Sequence, residues 1–347
     1  MGVKSEPRAA GASPAAAPAV TLRAARVGSG GDQRPLVVVA LGGNALLKRG
    51  EPLDAASQQR AARGAAKVIA SIAPRCRLIV THGNGPQVGL LALWTEAYSR
   101  ADASDPYPLD ILGAESSGQI GYVIELELDN AIEGRATVAI ITRTLVSADD
   151  PAFSNPTKFI GPIYEEADAK RLASERGWVV KADGSHWRRV VPSPEPRAIV
   201  QLDAIRGLVE AGFTVVCTGG GGVPVVRDPD GHEQGIEAVI DKDLASSVLA
   251  TDLGADVLIL ATDVDGAYVG WGTPEKRRVL RATPAGLRAL PFPPGSMGPK
   301  VEAVCRFVER TGGRAAIGQL EAIVGLLEGT AGTQVVATGP DLETDEA

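Results

Sequence analysis

Residues 36–41, LVVVAL, form an unbroken apolar run rich in β-branched side chains, and Gly42-Gly43 ends it at once. Such a run suits a strand buried on both faces of a parallel sheet. Two glycines then let the backbone approach a bound group with no Cβ in the way. A helix starting beyond them, after Asn44, offers unpaired N–H groups and the positive end of its dipole. The turn therefore reads either as an anion site at the carboxyl end of a strand or as a tight strand-to-helix connection. Its spacing is neither GxGxxG nor GxxxxGK[ST], so the dinucleotide fingerprint and the P-loop are both excluded.

A chain of 347 residues, 44% hydrophobic and 22% charged, can bury a sizeable core as one large domain or two coupled lobes. A net charge of −7 argues against a general nucleic-acid or membrane-surface binder, so an anionic ligand has to be held by local groups. No run is long or apolar enough to cross a bilayer, and the chain reads as cytoplasmic. Cys76, Cys217 and Cys305 make no disulfide framework and are expected as buried thiols. Residues 1–33 are rich in Ala, Pro and Gly and lack a signal-peptide core. They read as a disordered extension, with a transit peptide as the alternative. The acidic stretch 339–347 reads as a solvated tail.

From residue 36 onward strands and helices alternate, the pattern of a mainly parallel α/β sheet. A helix is expected over 54–73, opened by Asp54 and closed by Pro74. A strand at 77–80 runs into THGNGP at 81–86 and a helix to about residue 100. A helix over 115–131 and a strand over 137–142 follow. Residues 149–196 then hold six prolines, with Trp178, Trp187 and the Arg188-Arg189 pair. So many prolines do not fit a central sheet, and the stretch reads as an inserted lid. Alternation resumes with a helix over 198–211 and a strand over 213–217 that enters four glycines, Gly219 to Gly222. Residues 223–226 and 236–240 are expected to pair as a hairpin. Asp241 opens a helix to 253, residues 256–261 form a strand ending in TDVDG, and a helix spans 301–310. Residues 315–317 and 334–337 read as the last strands.

Four glycine-rich turns at strand ends, at 42–43, 83–85, 219–222 and 263–266, exceed what turn-making needs. In an open α/β sheet the strand carboxyl ends share one edge, where ligands bind. Converging amide donors there suit a small oxyanion and a polyphosphate, hence phosphoryl transfer, whose catalysis is mostly positioning and charge neutralisation. Lysines are few against an arginine background, which singles out Lys158 in SNPTK, Lys242 between Asp241 and Asp243, and Lys300 after GSMGP. Singly each reads as a surface lysine; near one phosphate the three can follow the migrating charge. Asp243 either orients those ammonium groups or sits in a first helical turn for the dipole. His82, His186 and His232 are too scattered for a metal site, and His82 reads equally as a packed turn residue.

These segments resemble the carbamate kinases, within the amino acid kinase fold. The likeness lies in VALGGNA at 39–45, THGNGPQVG at 81–89, NPTK at 155–158 with IGP at 160–162, and WRRVVPSP at 187–194. GGGGVPV at 219–225, EAVIDKDLA at 237–245 and GSMGPKVEA at 295–303 complete it, so that about residues 35–338 are covered. The resemblance implies an open three-layer α/β/α sandwich around a mainly parallel sheet, with a protruding lid subdomain over about 150–195. An amino-terminal lobe over 34–212 would take the carbamoyl substrate and a carboxyl-terminal lobe over 213–338 the nucleotide. The implied reaction is reversible phosphoryl transfer between ATP and carbamate, giving ADP and carbamoyl phosphate. Mg2+ is expected through the nucleotide phosphates, with no metal held by the protein alone. A homodimer serving arginine or related nitrogen catabolism is implied, with small-molecule substrates and neither nucleic acid nor membrane as partner.

Residue by residue, the resemblance places Gly42, Gly43, Asn44, Gly83 and Asn84, with Gly220 and Gly221, around carbamate or the moving phosphoryl group. Lys158 and Lys242 would neutralise the bridging charge with Asp243 organising both, and Lys300 would meet the nucleotide phosphates. Asp263, Asp265, Tyr268, Met297 and Pro299 would line the nucleotide pocket. Glu115 departs from the expected pattern; it is harmless at a helix start and unfavourable if buried beside an anion. Two alternatives remain: a relative phosphorylating another carboxylate or a phosphate monoester, and a catalytically silent nucleotide sensor. The 150–195 insert with NPTK speaks against the first and the intact lysines against the second.

Overall fold

A computed structural model describes residues 32–43, 52, 54–102, 104–293 and 297–345. The expected extension falls outside these residues except for Asp32 and Gln33, and Asn44 also lies outside them. In chain order the first elements are β1 (Leu36–Leu41), α1 (Ala55–Ala70), β2 (Arg77–His82), α2 (Gly85–Asp102), α3 (Leu109–Ala131), β3 (Thr137–Ala139) and β4 (Arg143–Leu145). The inserted segment holds β5 (Lys158–Tyr164), α4 (Glu166–Arg176), β6 (Val179–Asp183) and β7 (His186–Val191). Then come β8 (Ala198–Ile199), α5 (Leu202–Glu210), β9 (Thr214–Cys217), β10 (Val223–Arg227), β11 (Glu233–Gly235), α6 (Lys242–Leu253) and β12 (Val257–Thr262). The last are β13 (Tyr268–Val269), β14 (Arg277–Ala282), α7 (Pro284–Arg288), α8 (Met297–Thr311), β15 (Arg314–Gln319), α9 (Ile323–Glu328), β16 (Thr333–Val335) and β17 (Leu342–Thr344).

One sheet runs β13-β14-β16-β15-β12-β1-β2-β9-β3, with β17 paired to β14. Its middle, β15-β12-β1-β2-β9-β3, is wholly parallel. Successive side chains of a strand point to opposite faces, and β1 feeds two cores accordingly. Leu36, Val38 and Ala40 pack with Ile205 of α5, Leu249 of α6 and Val304 and Phe307 of α8. Val37, Val39 and Leu41 pack with Ile69 of α1, Ile124 and Leu128 of α3 and Leu326 of α9. That is the three-layer sandwich. The continuous apolar run is needed because both faces are covered.

Local signals place the helices well. Asp54 caps α1 by accepting from the Ser57 amide at 2.7 Å, and Asp241 caps α6 through the Asp243 and Leu244 amides. Differences lie where pairing is long-range. β9, expected in the carboxyl-terminal lobe, sits between β2 and β3, so a boundary at 212/213 does not follow the sheet. The hairpin forms, but its second strand is β11 and not 236–240. Helix α3 begins six residues earlier than expected, its Leu109 amide donating to Glu237 at 2.9 Å. Residues 341–343 are exposed, but residues 342–344 form an edge strand on β14 and not a free tail.

Residues 150–195 form a separate antiparallel sheet, β5-β7-β6, with α4 beside it. Pro162 sits in its edge strand β5, where the register against β7 breaks between Ile160 and Tyr164, a place that tolerates a missing N–H. Ile160 and Val191 dock the insert against Val88 and Ala92 of α2 and Leu112 of α3. The backbones nearly touch there: a Cβ on Gly89 would lie 2.0 Å from the Gly161 nitrogen. Helix propensity alone makes Gly89→Ala stabilising by about 1 kcal/mol. The expected result is the reverse, undocking worth about 1–3 kcal/mol. Limited proteolysis within 150–195 should accelerate roughly in proportion to the undocked fraction.

Candidate active site

The four glycine-rich turns leave the carboxyl ends of β1, β2, β9 and β12, which are adjacent in the sheet as β12-β1-β2-β9. The turns therefore crowd one edge. Helix α6 starts at the same edge, pinned to β2 by a 2.6 Å bond between the Ser246 and Thr81 hydroxyls. Its first residues, Lys242 and Asp243, are buried. Gly83 makes room for the lysine stem, since a Cβ there would stand 3.3 Å from Lys242 Cδ.

Three lysines from distant segments meet here. Lys242 Nζ donates to Asp243 Oδ1 at 2.5 Å and Lys300 Nζ to Asp243 Oδ2 at 3.2 Å. Lys158 Nζ, from the first residue of β5, donates to Asp241 Oδ2 at 2.7 Å. Asp243 thus organises Lys242 and Lys300, not Lys158 as expected. Asp241 has both roles that the sequence offered for its neighbour: one oxygen caps α6 and the other holds Lys158. Burial alone would raise the Asp243 carboxyl, but Lys242 and Lys300 together hold it well below the usual range. Burial pushes Lys242 down against the pull of Asp243, while Asp243 raises Lys300.

A cavity of about 610 Å³ is lined by Lys158, Asp241, Lys242, Asp243, Lys300 and Asp263 at one end. Tyr268, Trp271, Met297, Pro299 and Phe292 form its less polar wall. Trp271 and Phe292 were not anticipated; their only signal was being aromatic in a chain with few aromatics. A second cavity of about 700 Å³ shares Thr262, Asp263 and Lys300 with the first and reaches Gly42 and Gly43. A Cβ on Gly42 would meet the Ala261 carbonyl oxygen at 2.9 Å, whereas one on Gly43 would meet nothing within 4 Å among the described residues. Gly42 is a packing glycine; Gly43 lines the cavity.

Other expected ligand residues lie behind this surface. Asp265 accepts from Tyr268 Oη at 2.5 Å and Arg278 at 3.0 Å, so it positions the tyrosine and does not line the pocket. Asn84 is buried and donates to Ser116 Oγ at 2.9 Å, its side chain lying over Gly220. Gly220 and Gly221 are buried, and the Gly221 amide already donates to Thr218 O. The Gly83 amide likewise donates to Leu41 O. These glycines shape the loop, and at Gly220 to Gly222 positive φ values of 64° to 89° require them. Glu115 is exposed on α3, beyond its first turn, and buries no charge.

The three cysteines are buried, and burial raises Cys76 to about 11 and Cys217 and Cys305 to about 12, as for inert thiols. His82 is packed against Gly219, and burial lowers it to about 4, with Lys242 adding to the effect. It is the packed turn residue. The unfolded chain therefore takes up this proton first, and stability falls as pH drops from about 6.5 toward 4. Between pH 7 and pH 5 the wild type should lose about 2 kcal/mol of unfolding free energy that His82→Gln does not lose, measured by urea melts.

Residues 35–319 match the family model of the amino acid kinase family. The carbamate kinase of Rhizobium meliloti (strain 1021) is 51% identical over 310 residues, spanning 88% of this chain and 94% of that protein. The carbamate kinase of Pyrococcus furiosus is 47% identical over 310 residues, spanning 86% of this chain and 98% of that protein. A solved structure, carbamate kinase from Giardia lamblia bound to AMP-PNP, has a TM-score of 0.79 at 38% identity and covers 88% of this chain and 99% of its own. With this sheet order, this lysine cluster and these relatives, the chain belongs to the amino acid kinase family, among its carbamate kinases.

Proposed function

We propose that the chain transfers a phosphoryl group reversibly between ATP and carbamate, giving ADP and carbamoyl phosphate. The observation that supports this most is the lysine cluster: ammonium groups from three segments, set by two carboxylates, lining a cavity of about 610 Å³, within the range of small-molecule sites. Two anionic reactants have to meet in line, and their repulsion is the main barrier that a protein can remove. Lys158 and Lys242 offset charge on the oxygens around the transferred phosphorus, while Lys300, at the junction of both cavities, meets the nucleotide phosphates. Asp263, Tyr268, Met297 and Pro299, with Trp271, line the nucleotide side. Gly43 lines the carbamoyl side, where the resemblance would also put Asn44, and Gly42, Gly83, Asn84, Gly220 and Gly221 set the shape of the turns behind it. Carbamate needs no strong base, because its attacking oxygen is already anionic.

Among the described residues no group of three His, Cys, Asp or Glu is placed to hold a metal. Mg2+ would be held mainly by the nucleotide phosphates, with Asp263, which lines both cavities, as a carboxylate that could assist. When bound, Mg2+ supplies charge neutralisation on the phosphates. The insert over 150–195 brings Lys158 and acts as the lid, between a carbamoyl lobe and a nucleotide lobe. Exposed Tyr122 on α3 and Ile141 just beyond edge strand β3 offer a surface for a second copy, in keeping with a homodimer. No described helix is long and apolar enough to cross a membrane. We place the enzyme in the cytoplasm, making ATP from carbamoyl phosphate in arginine or related nitrogen catabolism. A coupled assay of ATP formation from ADP tests the substrate: carbamoyl phosphate should support turnover far above acetyl phosphate. Equal rates, or activity with acetyl phosphate alone, would overturn the assignment.

A further inference from the structure

Away from the lysine cluster, a second face of α6 lines a separate cavity of about 250 Å³. Leu244, Ser247 and Val248, at i, i+3 and i+4, form one wall, and Glu195, Pro196, Arg197, Arg306 and Arg310 form the rest. Three arginines around one small cavity run against the chain's net charge of −7. The one acidic lining residue is Glu195, bound by the Arg306 guanidinium, which also donates to Glu302 at 2.6 Å. Arg197 and Arg310 are exposed and form no ion pair among the described residues, Arg310 acting on Asp252 only at longer range.

The position of Glu195 gives this cavity a connection to the lid. Its amide donates to Asp150 Oδ2 at 3.0 Å, so the entry and exit of the insert are tied together at this residue. Its carboxylate ties that base to α8, whose first turn holds Lys300. Ser247 Oγ donates to Ala303 O at 2.7 Å and locks α6 to α8. A ligand that competes with Glu195 for Arg306 therefore loosens the lid base from the helices that hold Lys242 and Lys300.

We propose that this cavity is a binding site for a phosphate dianion, free or as a small phosphate monoester, and that its occupancy releases Glu195 and makes the lid more mobile. A monocarboxylate only replaces Glu195 charge for charge. A dianion with several acceptor oxygens can also engage Arg197 and Arg310, for which guanidinium geometry is suited. The apolar wall of Leu244 and Val248 accepts the organic part of a monoester.

The test uses full-length protein saturated with AMP-PNP and Mg2+, so that phosphate positions of the active site are filled. Inorganic phosphate and glycerol 2-phosphate are titrated separately by calorimetry, against potassium chloride at matched ionic strength. At least one of the two should bind wild type, with about tenfold or greater weakening in Arg197→Gln/Arg310→Gln. Glu195→Gln, which removes the competing carboxylate, should bind that probe about threefold tighter or better. Proteolysis within 150–195 should quicken as the site fills in wild type. Tighter binding of glycerol 2-phosphate than of inorganic phosphate identifies a monoester as the ligand, and the converse identifies free phosphate. Binding of neither, binding unchanged in both variants, or a lid no more cleavable at saturation would overturn the proposal. Should the double variant fail to fold, the Glu195→Gln titration decides alone.

Discussion

Lys242→Met is expected to lower kcat for ATP formation by about 10³-fold or more, with little change in the KM for ADP. The side chain is buried, donates to Asp243 and lines the same cavity as Lys158 and Lys300. Its charge matters most when the phosphoryl group is shared between two oxygens, so the loss should fall on kcat. The fold should survive. Burial disfavours the free ammonium, a methionine fills similar space, and Asp243 keeps Lys300 as a partner. A melting temperature within a few degrees of wild type beside a collapsed rate would separate catalysis from stability. Lys158→Met should behave similarly in rate, since it supplies the other ammonium. Wild-type turnover in both variants would remove the lysines from the mechanism.

A pair of glycine substitutions should show the second large effect, and in opposite readouts. Gly220 has φ of +64°, and a Cβ there would stand 2.2 Å from Asn84 Nδ2. Gly220→Ala combines left-handed strain of about 1–2 kcal/mol with overpacking of about 1–3 kcal/mol. Denaturant melts should therefore show a loss of about 2–5 kcal/mol. Gly43→Ala adds a methyl group that meets nothing within 4 Å among the described residues, so stability should hardly change. Gly43 lines the cavity that Lys300 also lines, and kcat/KM should fall about tenfold or more if the methyl group takes space that the substrate needs. Full activity in Gly43→Ala would move the carbamoyl group elsewhere.

These two glycines also show what was legible in the sequence. The pattern of a strand ending in a glycine-rich turn repeated four times, and it correctly led to one sheet edge and to an excess of glycine there. It did not separate glycines needed for ligand approach from those needed for packing. Gly220 is dictated by Asn84, which lies 136 positions earlier along the chain and beside it only in the fold. Asp241 is a similar case. Its capping role was readable from the helix start, and that local explanation hid the second oxygen, whose partner Lys158 is 83 residues away. Strand order was beyond reach for the same reason, since nothing local in 214–217 says that it inserts between β2 and β3. Asp265 was misplaced because a carboxylate in a strand-end turn can face either the cavity or the sheet, and Arg278 on β14 decides that. Trp271, packed edge to face on Tyr268, had no pattern to mark it.

The central claim is that turns at four adjacent strand ends and ammonium groups from three separate segments meet where two anions have to touch. A crystal structure of the chain with ADP, Mg2+ and aluminium fluoride tests it most directly. The fluoride ligands of the phosphoryl mimic should lie within hydrogen-bond distance of Lys158 and Lys242, with Lys300 on the nucleotide phosphates and Gly43 beside the mimic. A mimic seated away from these lysines, with the lid closed, would contradict the account.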